Sequence, residues 1–336
     1  MLHFSRSPNP KHFSNRCSGS ASWQTALVAV ILCMIGSANF SFAEDKEAKP
    51  VPLNKKETVL LDKANNRLLL KGEVCLRQGV LEMLVCGKQT KEHESIISLD
   101  AKASVIHAGL LGLGAMPGRP VQFQPEFSPP QGQRIDVFVT WKDKAGTTHR
   151  RPAQEWVRHV TYRYFEASLT NVPAGVKIDP AADDGLRYDS MNQVLLHFGT
   201  MSKEKRDEFL AMSDNKPYQA AINKMFKESQ PRQMKADFVF AGSGFSKLED
   251  GSNYYQAEGG SFICVANFGD AMIDVAIESS ADDSAGRSFE PYTERIPPVD
   301  TPVTVELIPR QPEKAEKTKD AEKVKNTEKK TNSAPE

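Results

Sequence analysis

No charge of one sign predominates in this chain of 336 residues, where Lys plus Arg and Asp plus Glu stand at 43 each. Without a net field, neither nucleic acid nor an anionic membrane is recruited by bulk charge, and neither is expected as a partner. Cysteine is scarce, at five residues. No apolar run reaches the roughly 20 residues that a membrane-spanning helix needs. Familiar catalytic patterns are missing too: there is no Gly-x-Ser-x-Gly nucleophile elbow and no His-Glu-x-x-His zinc helix. Gly112-x-Gly114 falls late in an expected helix, outside the strand-turn-helix setting of a phosphate loop.

What is present begins with an export pattern. Arg6, Lys11 and Arg16 precede the apolar run Ala26 to Ile35, which Gly36, Ser37 and Asn39 interrupt. Small residues at Ser41 and Ala43 then give way to Glu44. This order predicts a signal peptide over residues 1–43, cleaved after Ala43, the alternative being a retained anchor. The mature chain is expected in the periplasm or outside the cell, with no stable membrane span. Residues 44–56 carry Pro50 and Pro52 and are expected to be a linker. From Gln311 onward the chain is Lys, Glu and small polar residues. Such a tail over residues 311–336 buries too little to offset its ordering entropy and is expected to be disordered.

Cleavage leaves Cys75, Cys86 and Cys264. Strands at Leu68 to Leu76 and Val80 to Cys86, turning at Gln78-Gly79, would form a hairpin that puts the first two cysteines on one face. In that register they stand four residues apart, about 13 Å, beyond the roughly 7 Å between Cα atoms that a disulfide spans. Mostly buried thiols are expected, with a bridge from Cys264 to Cys75 or Cys86 as the alternative. Three thiols fall short of the usual four for an iron-sulfur cluster, and no cofactor is expected.

The body of the chain predicts an α+β fold: a mostly antiparallel sheet, one packed helix and a helical-hairpin insertion at about 200–230. Strands are expected at Val59 to Leu61, Arg67 to Cys75, Val80 to Cys86, Ser95 to Leu99, Val121 to Phe123 and Ile135 to Trp141. Others follow at Phe238 to Phe240, Phe262 to Ala266, Met272 to Ile277 and Val303 to Ile308. A helix over Ala101 to Gly114 opens after Asp100 as a cap. A second runs from Thr200 or Ser202 to Met212, and a third from Ser213 or Asp214 to Glu228 with Pro217 in its first turn.

The densest chemistry lies in Thr90-Lys91-Glu92-His93-Glu94-Ser95. If this segment is extended, Lys91, His93 and Ser95 share one face and Glu92 and Glu94 the other. Glu82 is the carboxylate expected to reach His93 or Lys91. Imidazole, carboxylate and hydroxyl together are the parts of proton transfer or nucleophile activation, and equally of a hydrogen-bonded polar patch. The candidate binding residues are Glu82, Lys91, His93, Glu94 and Ser95. His93 and His107 are the weak candidates for a metal, and no metal is expected. Trp141, Trp156, Tyr254 and Tyr255 read as sheet and rim packing.

Several of these residues together resemble a known family. Leu81-Glu82, Lys91-x-His93-Glu94-Ser95, His107-Ala108, Gly114-Ala115-x-Pro117-Gly118 and Pro129-Pro130-x-Gly132 occur in an order similar to that of the YdjY domain of exported bacterial proteins. The resemblance continues through Glu155-Trp156-Val157, Phe240-Ala241-Gly242-Ser243, Asn267-Phe268 and Pro297-Pro298. It implies a YdjY-like domain over 57–310, in a periplasmic or secreted protein of unassigned activity, sometimes labelled ferredoxin-like. The function expected is a non-enzymatic binding or envelope-associated module. In it Lys91 to Ser95 and Glu82 form either a ligand patch or a rigidifying network, and the partner is an envelope macromolecule or a small ligand. The alternative is a hydrolase or metal-assisted enzyme centred on Glu82, His93 and Ser95.

Overall fold

The computed structural model describes residues 49–178, 184–282 and 287–311. The expected signal peptide, the first part of the linker and the tail beyond Gln311 lie outside the described residues. Within the expected linker, Val51–Pro52 pairs with Val59–Asp62 and so already belongs to the fold.

Alternating apolar residues and short buried runs build one large sheet. In spatial order it runs Ile263–Cys264, Met83–Gly87, Ser95–Leu99, Arg67–Val74, Pro302–Pro309, Arg134–Lys142, Phe238–Val239 and Asp274–Val275. These ladders are antiparallel, save the parallel pair Met83–Gly87 with Ser95–Leu99. Arg134–Lys142 alternates, with Ile135, Val137 and Val139 inside. Met83–Gly87 and Ser95–Leu99 are buried along their whole length, which is why they read as unbroken runs. Helix α1, Ala103–Gly112, lays Ile106 and Leu110 on this sheet, close enough that a Cβ on Gly109 would stand 2.6 Å from Leu68. The Ala101 to Gly114 helix is thus present, two residues shorter at each end.

The chain between 142 and 200, where no strands are expected, carries a second, smaller sheet. Tyr164–Ser168, Val194–Phe198 and Leu186–Asp189 pair antiparallel, with Val194–Phe198 in the middle. Helices α2, Lys203–Ala211, and α3, Lys216–Ser229, cover one of its faces. Phe165, Ala167 and Leu195 meet Phe209, Tyr218, Ile222 and Met225 there. Ser202 caps α2 as expected, its Oγ accepting from Lys205 N. Asn215 caps α3, one residue beyond the expected Asp214.

The expected hairpin between Arg67 to Cys75 and Val80 to Cys86 does not form, because Ser95–Leu99 lies between the two strands. After Val74 the chain is drawn out of the sheet. Cys75 and Leu76 both donate to Ile96 O, and the Arg77 guanidinium binds the carbonyls of Thr293 and Ile296. Gln78-Gly79 therefore sits at the surface instead of closing a tight turn. Val121 to Phe123 is no strand either: it is reduced to one bridge between Gln122 and Ser128.

Candidate functional site

The Lys91 to Ser95 segment is extended only from Ser95. Glu92–Glu94 forms one turn of 3-10 helix between the parallel strands. Short polar side chains close it: Thr90 Oγ1 donates to Gly87 O at 2.6 Å, and Ser95 Oγ to Lys91 O at 2.6 Å. Gly260 makes the approach feasible. At φ +117° it presses on the turn so closely that a Cβ would stand 2.6 Å from Thr90 Oγ1.

This turn brings Lys91, Glu82 and Glu94 together. The Lys91 ammonium lies 3.4 Å from Glu94 and 3.5 Å from Glu82, and 4.4 Å above the Phe268 ring. Burial alone would lower the Lys91 pKa, but the two carboxylates outweigh it and hold the ammonium above its ordinary value. Glu82 is pushed up, first by burial and then by Glu94, against the pull of Lys91. His93 points away: its side chain is 77% exposed and its one ion pair among the described residues is with Glu94, at 3.6 Å. Ser95 is buried, with its hydroxyl committed to Lys91 O. The five residues predicted from sequence thus divide into a paired trio (Glu82, Lys91, Glu94), a buried structural hydroxyl (Ser95) and a solvent-facing imidazole (His93).

Beneath the turn the thiols are arranged otherwise than the hairpin implied. Cys75 Sγ donates to Ser95 O at 3.1 Å, and Cys86 lies on Met83–Gly87, which pairs with Ser95–Leu99. Interaction between the two thiols, the largest cause for each, holds Cys75 up and brings Cys86 down to about 7. Cys264 packs its sulfur 3.2 Å from Met83 Sδ. Nearby Asp274, fully buried, accepts from Val275 N and Asn267 Nδ2 through one oxygen, while its other oxygen meets no hydrogen-bond partner among the described residues. Burial pushes this carboxyl up to about 7.

The other sequence candidates have structural partners. His107 Nδ1 meets Tyr255 Oη at 2.7 Å, with its ring edge-on to Phe240 and Tyr255. Trp156 and Tyr255 are buried, and Trp141 stacks on His149. Among the described residues, no three His, Cys, Asp or Glu side chains come together to hold a metal ion. No helix among them is long and apolar enough to cross a membrane.

One surface escaped the sequence. On the uncovered face of the smaller sheet, Tyr164 and Phe198 lie side by side, with ring centroids 5.2 Å apart, and Tyr162 follows at 6.3 Å from Phe198. All three are exposed, Tyr162 by 76%. Arg187 binds the Tyr164 hydroxyl. The strip leads from Tyr162 into a recess of about 460 Å³ walled by exposed Val80 and floored by polar side chains. There Arg158 holds Glu290 at 2.8 Å and Glu290 accepts from Thr161 Oγ1 at 2.6 Å. A period-two pattern in Tyr164-Phe165-Glu166-Ala167-Ser168 was the available signal.

Residues 55–167 match the family model of the YdjY domain, so the chain carries a YdjY domain over that stretch. The match ends inside Tyr164–Ser168, and the likenesses quoted from Phe240 onward lie beyond it. No curated protein and no solved structure matches the chain.

Proposed function

Starting from a chain with a YdjY domain at residues 55–167, we propose that the protein is an exported, extracytoplasmic binding module that associates with a macromolecule of the cell envelope. The observation that carries this is the exposed strip Tyr162–Phe198–Tyr164 beside its recess. Large apolar side chains grouped at a surface leave free energy to be gained by covering them, roughly 25 cal/mol per Å². Aromatic rings with polar tips suit a partner that is part apolar and part hydrated. The export pattern of residues 1–43 supports the compartment. In this account α2, α3 and their sheet are an insertion that presents the strip, and the Glu82–Lys91–Glu94 trio is a rigidifying network at the turn between the parallel strands of the main sheet.

The trio is paired and Ser95 is committed to the backbone, while His93 turns outward. Those placements support scaffolding in preference to the hydrolase centred on Glu82, His93 and Ser95. The test is co-sedimentation of the purified mature chain with an isolated envelope fraction. Binding that disappears in the Tyr162→Ser/Phe198→Ser variant, while the variant keeps its melting temperature, is the expected result. A chain that stays in the supernatant refutes the proposal.

A further inference from the structure

A second feature of the fold lies on the other side of Val160, in a small recess lined by His159, Arg163, Arg232, Arg287, Glu228 and Ser288. The backbone brings these residues together from three distant stretches. His159 N donates to Arg232 O at 2.9 Å, and Val160 N to Ser288 O at 2.9 Å. The His159–Val160 edge is thereby stitched to Arg232 on one side and to the Arg287-Ser288 pair on the other. Arg163 lies four residues on from His159 and has further contacts of its own. Among the described residues, neither Arg232 nor Arg287 forms a salt bridge; Arg232 donates to Glu228 O at 3.3 Å. Among the described residues the one carboxylate on the wall is Glu228, 4.0 Å from the Lys224 ammonium.

We propose that Arg232 and Arg287, with His159 between them, form a binding site for a phosphate-class oxyanion. Two guanidiniums supply fork-shaped donors and charge that match a doubly charged tetrahedral anion, and Arg163 adds to the field. The recess measures about 20 Å³, room for about one oxygen-sized group. One anion oxygen enters it, and the remainder of the ligand stays in solvent. The imidazole reports the same field: burial first, then Arg232, Arg287 and Arg163, hold His159 below its ordinary pKa. Glu228 is the opposing charge on the wall, and Phe289 packs against the ring at 5.2 Å. The site stands on its own residues and does not depend on the Tyr162 strip.

The experiment is a calorimetric titration of the mature full chain with inorganic phosphate against chloride at matched ionic strength, with His159 followed by NMR. Saturable phosphate binding is expected, weakened about ten-fold or more in Arg232→Gln and in Arg287→Gln. The His159 titration midpoint should rise in saturating phosphate, as an anion offsets the arginine field. Arg287→Lys keeps the charge but loses the fork, and should bind with intermediate strength. A parallel arm uses vesicles of phosphatidylcholine with and without phosphatidic acid. Vesicle capture that needs the same arginines identifies a lipid headgroup as the source of the oxyanion, whereas phosphate binding without capture identifies a soluble one. No binding in either arm, or binding indifferent to both glutamine variants when their urea midpoints match the parent, overturns the site.

Discussion

Asp274 sets the clearest expectation at the scale of single residues. Its carboxyl is buried, with one oxygen lacking a hydrogen-bond partner among the described residues and a pKa raised to about 7 from 3.8. A group raised on folding favours the folded state fully below its unfolded pKa, and that contribution is lost as pH rises through the folded value. Between about pH 4 and 7 the chain should therefore lose on the order of 4 kcal/mol through this residue. Asp274→Asn should remove that slope and be the more stable form at pH 8, as read from urea midpoints across the range. Equal pH slopes in the two proteins would show that Asp274 is ionised in the fold. Lys91→Met leaves Glu82 and Glu94 facing each other without their cation, and should cost about 2 kcal/mol at pH 7. That deficit should shrink as the pH falls and Glu82, whose pKa is raised, takes up a proton, in the same urea measurements.

Legibility from sequence was uneven among the elements, for physical reasons. Helices α2 and α3 were legible because their start signals are local: Ser202 and Asn215 bond to backbone N–H groups three residues on. Helix α1 does not use the cap expected at Asp100: Lys102 stands at its N-cap position and makes no side-chain cap bond. Its first N–H groups are satisfied by Glu258, which accepts from Ala103 N at 2.9 Å and Ser104 N at 3.0 Å from 155 and 154 residues away. Glu258→Ala should therefore cost about 1–2 kcal/mol and increase amide exchange in the first turn of α1, measured by hydrogen exchange. Unchanged protection of Ala103 and Ser104 would refute that role. The hairpin failed for a related reason. A turn at Gln78-Gly79 is locally plausible, but the insertion of Ser95–Leu99 between the strands is a long-range choice that no local pattern carries. The site was legible in composition only. Sequence singled out Lys91 and Glu82, whose contact the fold confirms at 3.5 Å, and gave no hint that Ser95 is buried or that Arg232 and Arg287 flank His159.

At the scale of the molecule, the stretch matched by the YdjY family model does not complete its own sheet. Pro302–Pro309 runs between Arg67–Val74 and Arg134–Lys142, and its Val303, Val305 and Leu307 belong to the main core. Glu306 on the same strand is held by Arg150 at 2.9 Å and Arg67 at 3.1 Å. A fragment of residues 55–167 should accordingly show no cooperative thermal transition by circular dichroism, whereas residues 49–311 should melt as one unit; a sharp transition in the short fragment would contradict this. In the function proposed above, the molecule works through its exposed aromatic strip and uses the Glu82–Lys91–Glu94 network as support. The most direct test compares Lys91→Met with Tyr162→Ser/Phe198→Ser for both melting temperature and affinity for the isolated envelope fraction. Lys91→Met should melt lower but bind as the parent does, while the strip variant should melt as the parent does and not bind. Loss of binding in Lys91→Met at a temperature where it is folded, with binding kept in the strip variant, would place the function at the turn and rule out the strip.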